Sequence, residues 1–166
     1  MNTTNLIITA LVGIIAIALF VLAIQFLSKK INFEEEGKLK TAFAVWISFS
    51  IASFTLLLSS ALKAVSGAIE VILGIAKTEN TLPVIEKVAL FIGFTFMWFV
   101  ETYFITQFIT AILLGKRTDS IEIDRNNYNY FIIKGIILMA FTFAFLSVFE
   151  NFLRMFSPVV ETPFYH

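Results

Sequence analysis

The chain has 166 residues, 58% hydrophobic and 14% charged, with a mean hydropathy of +0.89, whereas a soluble domain carries roughly 25% charged residues. Its charges gather between long apolar runs, the pattern of a polytopic membrane protein. Zero net charge leaves no basic surface for nucleic acid, the absence of Cys excludes disulfides, thiolate metal sites and a Cys nucleophile, and the single His, His166, leaves no histidine-ligated metal or haem to expect within one chain.

The first apolar run is Leu6–Leu27, long enough to cross a hydrocarbon core, which takes ~20 helical residues. It lacks barrel-type alternation, and backbone groups must be satisfied within the segment, so it reads as a helix. No Lys or Arg precedes it and no small-residue cleavage site follows, which predicts an uncleaved span. The loop Ser28–Thr41, "SKKINFEEEGKLKT", carries Lys29, Lys30, Lys38 and Lys40 with Glu34, Glu35 and Glu36. The second run, Phe43–Leu62, has two hydroxyl stripes, Ser48–Thr55–Ser59 and Ser50–Ser53–Ser60. Such residues let helices approach closely, and a polar pore lining is the second reading.

Ala64–Lys77, "AVSGAIEVILGIAK", is too short for a span. A helix continuous from Phe43 to Ala76 would reach about 51 Å, well past a ~30 Å core. The segment is therefore expected to extend span two outward or bend into an interfacial helix, with a re-entrant, pore-lining segment as the alternative. "KTENTLP", ending at Pro83, is the turn before the third run, Val88–Leu114, which holds Glu101 at its middle. The loop Gly115–Tyr130, "GKRTDSIEIDRNNYNY", then leads to the fourth run, Phe131–Phe149, and "DSIEIDR" within it alternates as a short extended segment would.

These runs predict an all-α fold of four transmembrane helices in two similar helical hairpins with short cytoplasmic loops. Lys and Arg concentrate in the two loops that follow spans one and three, so both loops are expected in the cytoplasm and both termini outside. Trp46, Tyr128 and Tyr130 would then mark the cytoplasmic interface. An internal repeat is also visible. Lys29-Lys30 corresponds to Lys116-Arg117, Phe43 to Phe131 and Ser59 to Ser147, at an offset of 87 or 88 residues. Two spans per half make this a parallel repeat about an axis along the membrane normal.

Residues 28–66, "SKKINFEEEGKLKTAFAVWISFSIASFTLLLSSALKAVS", resemble the first hairpin of the domain of unknown function 350 family. The matching positions are Ser28-Lys29, Thr41-Ala42, Leu58-Ser59-Ser60-Ala61 and Ala64-Val65-Ser66, and Asn126-Asn127 resembles the polar residue before that family's last span. Leu39-Lys40, Tyr128-Asn129-Tyr130 and an insertion over Gly67–Lys87 depart from the pattern. The resemblance implies a small bacterial four-helix inner-membrane protein and carries no assigned chemistry.

Glu101 is the leading candidate site residue. Phe94, Met97, Trp98, Ile105 and Phe108 surround it on the helix, and an acidic residue at mid-membrane costs ~2.5–3.5 kcal/mol on insertion scales. Ser50 and Ser53 share its depth and are candidate hydrogen-bond partners, whereas Lys134 lies too near the cytoplasmic end. Glu101 reads as an ion or proton site within the bundle or between subunits, or as a structural carboxyl bonded across helices. Lys63 and Glu150 lie at one depth near the outer surface and are a candidate interhelical ion pair. Glu34, Glu35 and Glu36, with Asp119, Glu122 and Asp124, form candidate partner-facing loops. Interleaved cations and the lack of calcium-loop spacing leave no metal or other cofactor to expect.

No catalytic constellation of a hydrolase, metalloprotease or phosphate-loop enzyme is present in the sequence, so no enzymatic activity is expected. Two functions remain. One is a homo-oligomeric, channel-like or ion-conducting assembly in a lipid bilayer. The other is a non-catalytic scaffold or sensor that presents its loops to a cytoplasmic protein partner, as in stress or phage-defence systems.

Overall fold

The computed structural model describes residues 3–29, 31, 33–35, 37–75 and 82–157. In chain order these form α1 (Thr3–Ser28), β1 (Glu34–Glu35), β2 (Lys38–Leu39), α2 (Thr41–Ile75), α3 (Leu82–Leu114), α4 (Asp119–Asp124) and α5 (Tyr128–Met155). The architecture is all-helical apart from one antiparallel ladder, with Glu34 opposite Leu39 and Glu35 opposite Lys38. Gly37, at φ +73°, supplies the left-handed turn between these strands. Helices α1, α2, α3 and α5 are each long and apolar enough to cross a membrane.

All four are longer than the apolar runs they contain. Helix α2 has 35 residues and α3 has 33, about 52 and 50 Å at 1.5 Å per residue. Of the readings open for 64–77, the structure shows the outward extension of the second run as far as Ile75, with no separate interfacial or re-entrant helix among the described residues. Helix α2 passes through Ser66-Gly67 without a break and ends at Ile75, with 76 and 77 outside the described residues. Val65, Ala68 and Ile69 are buried in the same core as Val84 of α3, so this last stretch has a partner surface that rewards continuing the helix. Pro83 sits in the first turn of α3, where its missing N–H breaks no helical hydrogen bond.

Helix α2 is the centre of the bundle. It packs against α1, α3 and α5, and α3 also packs against α5. Helix α1 lies outermost, seated on α2. Asn5 Nδ2 donates to the carbonyl and the hydroxyl of Ser66, both at 3.2 Å. Phe20 stacks on Phe54 with centroids 4.0 Å apart, and Phe99 of α3 meets Phe20 edge-on at 4.9 Å. On the other side of α3, Trp98 packs on Phe149 at 5.2 Å and Phe94 on Phe152 at 4.8 Å. Phe49 of α2 lies so close to α5 that a Cβ on Gly135 would fall 2.2 Å from its ring. Between apolar helices in lipid such packing is the main source of association, because there is no hydrophobic gain from leaving lipid.

The segments that precede α2 and α5 meet at one end of the bundle. Lys40 Nζ reaches Asp124 Oδ1 and the Asp124 carbonyl, each at 3.3 Å. The backbone N–H of Ala42 donates to Asn126 Oδ1 at 3.0 Å, so a residue of the second loop caps the start of α2. Phe43 and Phe131, which the sequence offset pairs, are buried in one cluster here with Ala42, Ile123 and Tyr130. The halves differ in packing: α3 docks on α2, and α1 makes no comparable contact with α5 among the described residues.

The alternation in "DSIEIDR" does not give a strand. The segment forms α4, because Asp119, Glu122 and Ile123, spaced for one helical face, all turn inward. Ile123 is fully buried against the ends of α2 and α5.

Candidate functional site

Three sets of polar residues stand out from the apolar bundle, and the structure treats them differently. The first is a buried network at the end where the charged loops meet. Gly115, at φ +82°, reverses the chain after α3, so that Asp119 at the start of α4 comes back under α3 and α5. Its Oδ2 accepts from Lys134 Nζ at 2.5 Å and from the Tyr103 hydroxyl at 2.6 Å. Its Oδ1 accepts from the Tyr130 hydroxyl at 3.2 Å. Lys134, whose side chain is 3% exposed, also donates to Gln107 Oε1 and, at 3.1 Å, to the Tyr103 oxygen. Trp46 Nε1 donates to that same oxygen at 3.2 Å.

The ammonium, carboxylate and phenol groups of this cluster all have partners. The three ammonium protons of Lys134 match three acceptors, and its Nζ lies 4.6 Å from the Tyr103 ring centroid. A buried ion pair is favourable only when such added hydrogen bonds complete it. The arrangement joins α2, α3, α4 and α5 at one point, and with its groups paired to one another it acts as a structural lock.

Beside it, Glu122 is buried and accepts from Asn127 Nδ2 at 2.5 Å and from Arg117 at 3.4 Å. Asp119 and Glu122 are therefore not partner-facing, contrary to the sequence expectation, because the α4 turn points both carboxylates into the fold. Asp124 remains largely exposed while pairing with Lys40. Glu34 is exposed, and the Glu35 side chain and Glu36 lie outside the described residues. Trp46 and Tyr130 are likewise tied inward by hydrogen bonds, and of the three aromatic residues expected at the interface only Tyr128 is exposed.

The second set is Glu101. The structure does not bring Ser50 or Ser53 to it. Ser50 Oγ donates to the Trp46 carbonyl at 2.9 Å, and Ser53 Oγ contacts Met139 Sδ at 3.1 Å. Helix α3 turns Thr95, Thr102, Thr106 and Thr110 into the core and leaves Glu101 on its outer surface. Met97, Phe104 and Phe108, also exposed, surround it. Among the described residues Glu101 makes no hydrogen bond and no ion pair.

The third set lies at the far end of the bundle. Lys63 Nζ of α2 is 3.9 Å from Glu150 Oε1 of α5, and the Ser60 hydroxyl donates to that oxygen at 2.9 Å. The stripe Ser50–Ser53–Ser60 is thus the buried face of α2, while Ser48, Thr55 and Ser59 are exposed.

Tyr103 and the Lys134–Asp119 contact were not singled out from sequence. The available signal was one Lys inside an apolar span with a Tyr one turn before it. Compared with known proteins, the chain matches no family model, and no curated protein or solved structure is significantly similar to it.

Proposed function

We propose that the chain is a multi-pass protein of a bacterial inner membrane, with both termini outside, that works as a homo-oligomer conducting ions along a path between subunits that includes Glu101. The outward direction of Glu101 from the middle of α3 carries this reading. A carboxylate facing hydrocarbon costs ~2.5–3.5 kcal/mol on insertion scales, a cost removed when a second copy or a water-filled path covers it. Within one chain the centre is occupied by Phe20, Phe54 and Phe99 in mutual contact, so the path is assigned to the space between chains. Membrane placement draws on the four apolar helices and on the basic residues of the two loops.

The alternative is a non-catalytic scaffold or sensor that presents those loops to a cytoplasmic partner. The exposed Lys38, Lys116 and Arg125 favour it, and the inward turn of Asp119 and Glu122 weighs against it. Ion flux through purified protein in liposomes separates the two, comparing wild type with Glu101→Gln and checking oligomer size in the same detergent. The conducting reading expects flux from wild type and its loss in the variant at unchanged size. A folded wild type without flux would overturn it in favour of the scaffold.

A further inference from the structure

At the end away from the charged loops, helices α2 and α5 line an open cleft of about 390 Å³. Ser60, Ala64 and Gly67 form its floor on α2, and their small side chains are the reason for the space; a Cβ added to Gly67 would meet no atom within 4 Å. Lys63, Glu150 and Arg154 also line it. The carboxylate is fixed in place by the Ser60 hydroxyl at 2.9 Å. Lys63 is loosely held by comparison, 76% exposed and at the outer limit of an ion pair with Glu150, so its ammonium is free to engage a ligand. The cleft therefore offers two cations and one anchored anion around an open volume.

We propose that this cleft binds a phosphoamine headgroup, the phosphate on Lys63 and Arg154 and the primary ammonium on Glu150. Guanidinium and ammonium groups are the usual partners of phosphate, and an anchored carboxylate accepts hydrogen bonds from a primary ammonium that a quaternary one cannot give. Depth supports a lipid as the source. Lys63 and Glu150 each lie 22 residues beyond the first residue of their helices, Thr41 and Tyr128. That is about 33 Å along each axis, just past a ~30 Å hydrocarbon core, where headgroups sit. The inference rests on the membrane placement proposed above and is independent of any conducting role for Glu101.

The test is a titration of purified protein with phosphatidylethanolamine and with phosphatidylcholine, with bound lipid counted by native mass spectrometry. Wild type is expected to prefer phosphatidylethanolamine by roughly five- to tenfold, the effect of one charge-assisted hydrogen bond. Glu150→Gln keeps an acceptor for Ser60 and should lose the preference while still binding both lipids. Gly67→Leu fills the cleft without touching a charge and should lose binding of both at this site. Soluble glycerophosphoethanolamine, added as competitor, separates the two sources. Displacement at concentrations equal to the lipid assigns the cleft to a free phosphoamine, and no displacement assigns it to the lipid. Equal retention of both lipids by wild type, or an undiminished preference in Gly67→Leu, overturns the proposal. Vesicle flotation run beside it reports membrane insertion separately: protein that does not float sinks the membrane placement, and protein that floats without a lipid preference sinks only this inference.

Discussion

Lys134 and Asp119 show how a charge can be kept inside an apolar bundle. Neither would be stable there alone, since removing one partner of a buried pair leaves the other uncompensated at a cost of about 3–5 kcal/mol. Asp119→Asn and Lys134→Met are each expected to lower stability in detergent by that order, read as a drop in thermal midpoint. The double variant should recover a large part of the loss, because replacing both charges with neutral side chains removes their desolvation cost along with the attraction. Additive losses in the double variant would show that the two residues act independently. Tyr103→Phe keeps the ring over Lys134 and removes a single hydroxyl that serves three partners. It is expected to cost about 1–3 kcal/mol by leaving buried polar groups unpaired.

Among the helices, the contact between α2 and α5 organises the bundle. Gly135 is buried on α5 with the ring of Phe49 pressed against it. Gly135→Leu is expected to force the two helices apart and destabilise the protein by more than the ~1–3 kcal/mol usual for overpacking, because the ring already lies inside Cβ distance. Gly135→Leu with Phe49→Ala should regain stability, and thermal unfolding of both variants measures it. The loops contribute a different kind of constraint. Asn126 sits at φ +51°, a left-handed conformation that Asn tolerates better than most residues, and its side chain caps α2. Asn126→Ala loses both advantages, with an expected cost of about 0.5–2 kcal/mol for the cap.

At the scale of the whole molecule, the proposed membrane placement and the proposed subunit contact at Glu101 are both open to direct test. The chain contains no Cys, so single cysteines can report sidedness without background. Cysteines placed at Lys38 and Lys116, both exposed, are expected to react with a membrane-impermeant maleimide only after the cytoplasmic side is opened. One placed at Glu70 near the far end of α2 should react from outside. The reverse pattern would invert the topology proposed here. Cysteines at Met97 and Phe104, flanking Glu101 on the exposed face of α3, should cross-link between copies if that face is the subunit contact.

The number of long apolar helices and the shared end of the two charged loops follow from local quantities: the length of apolar runs, the lack of alternation and the position of Lys and Arg. All four runs are helical in the structure, each within a helix long and apolar enough to cross a membrane, and a ~20-residue apolar segment has few other ways to satisfy its backbone where water is excluded. Direction about the helix axis is another matter. Helix α3 is apolar nearly all round, so its residues alone do not say whether Thr102 or Glu101 faces its neighbours. The fit of Phe99 against Phe20 and Phe54, and of Trp98 against Phe149, settles the rotation and sends Glu101 outward. In the same way, the carboxylates of "DSIEIDR" read as a solvated loop until α4 forms and turns Asp119 toward a Lys that lies 15 residues later in the chain. Contacts of that kind depend on side chains from several helices meeting at one place, and no single stretch of sequence contains them.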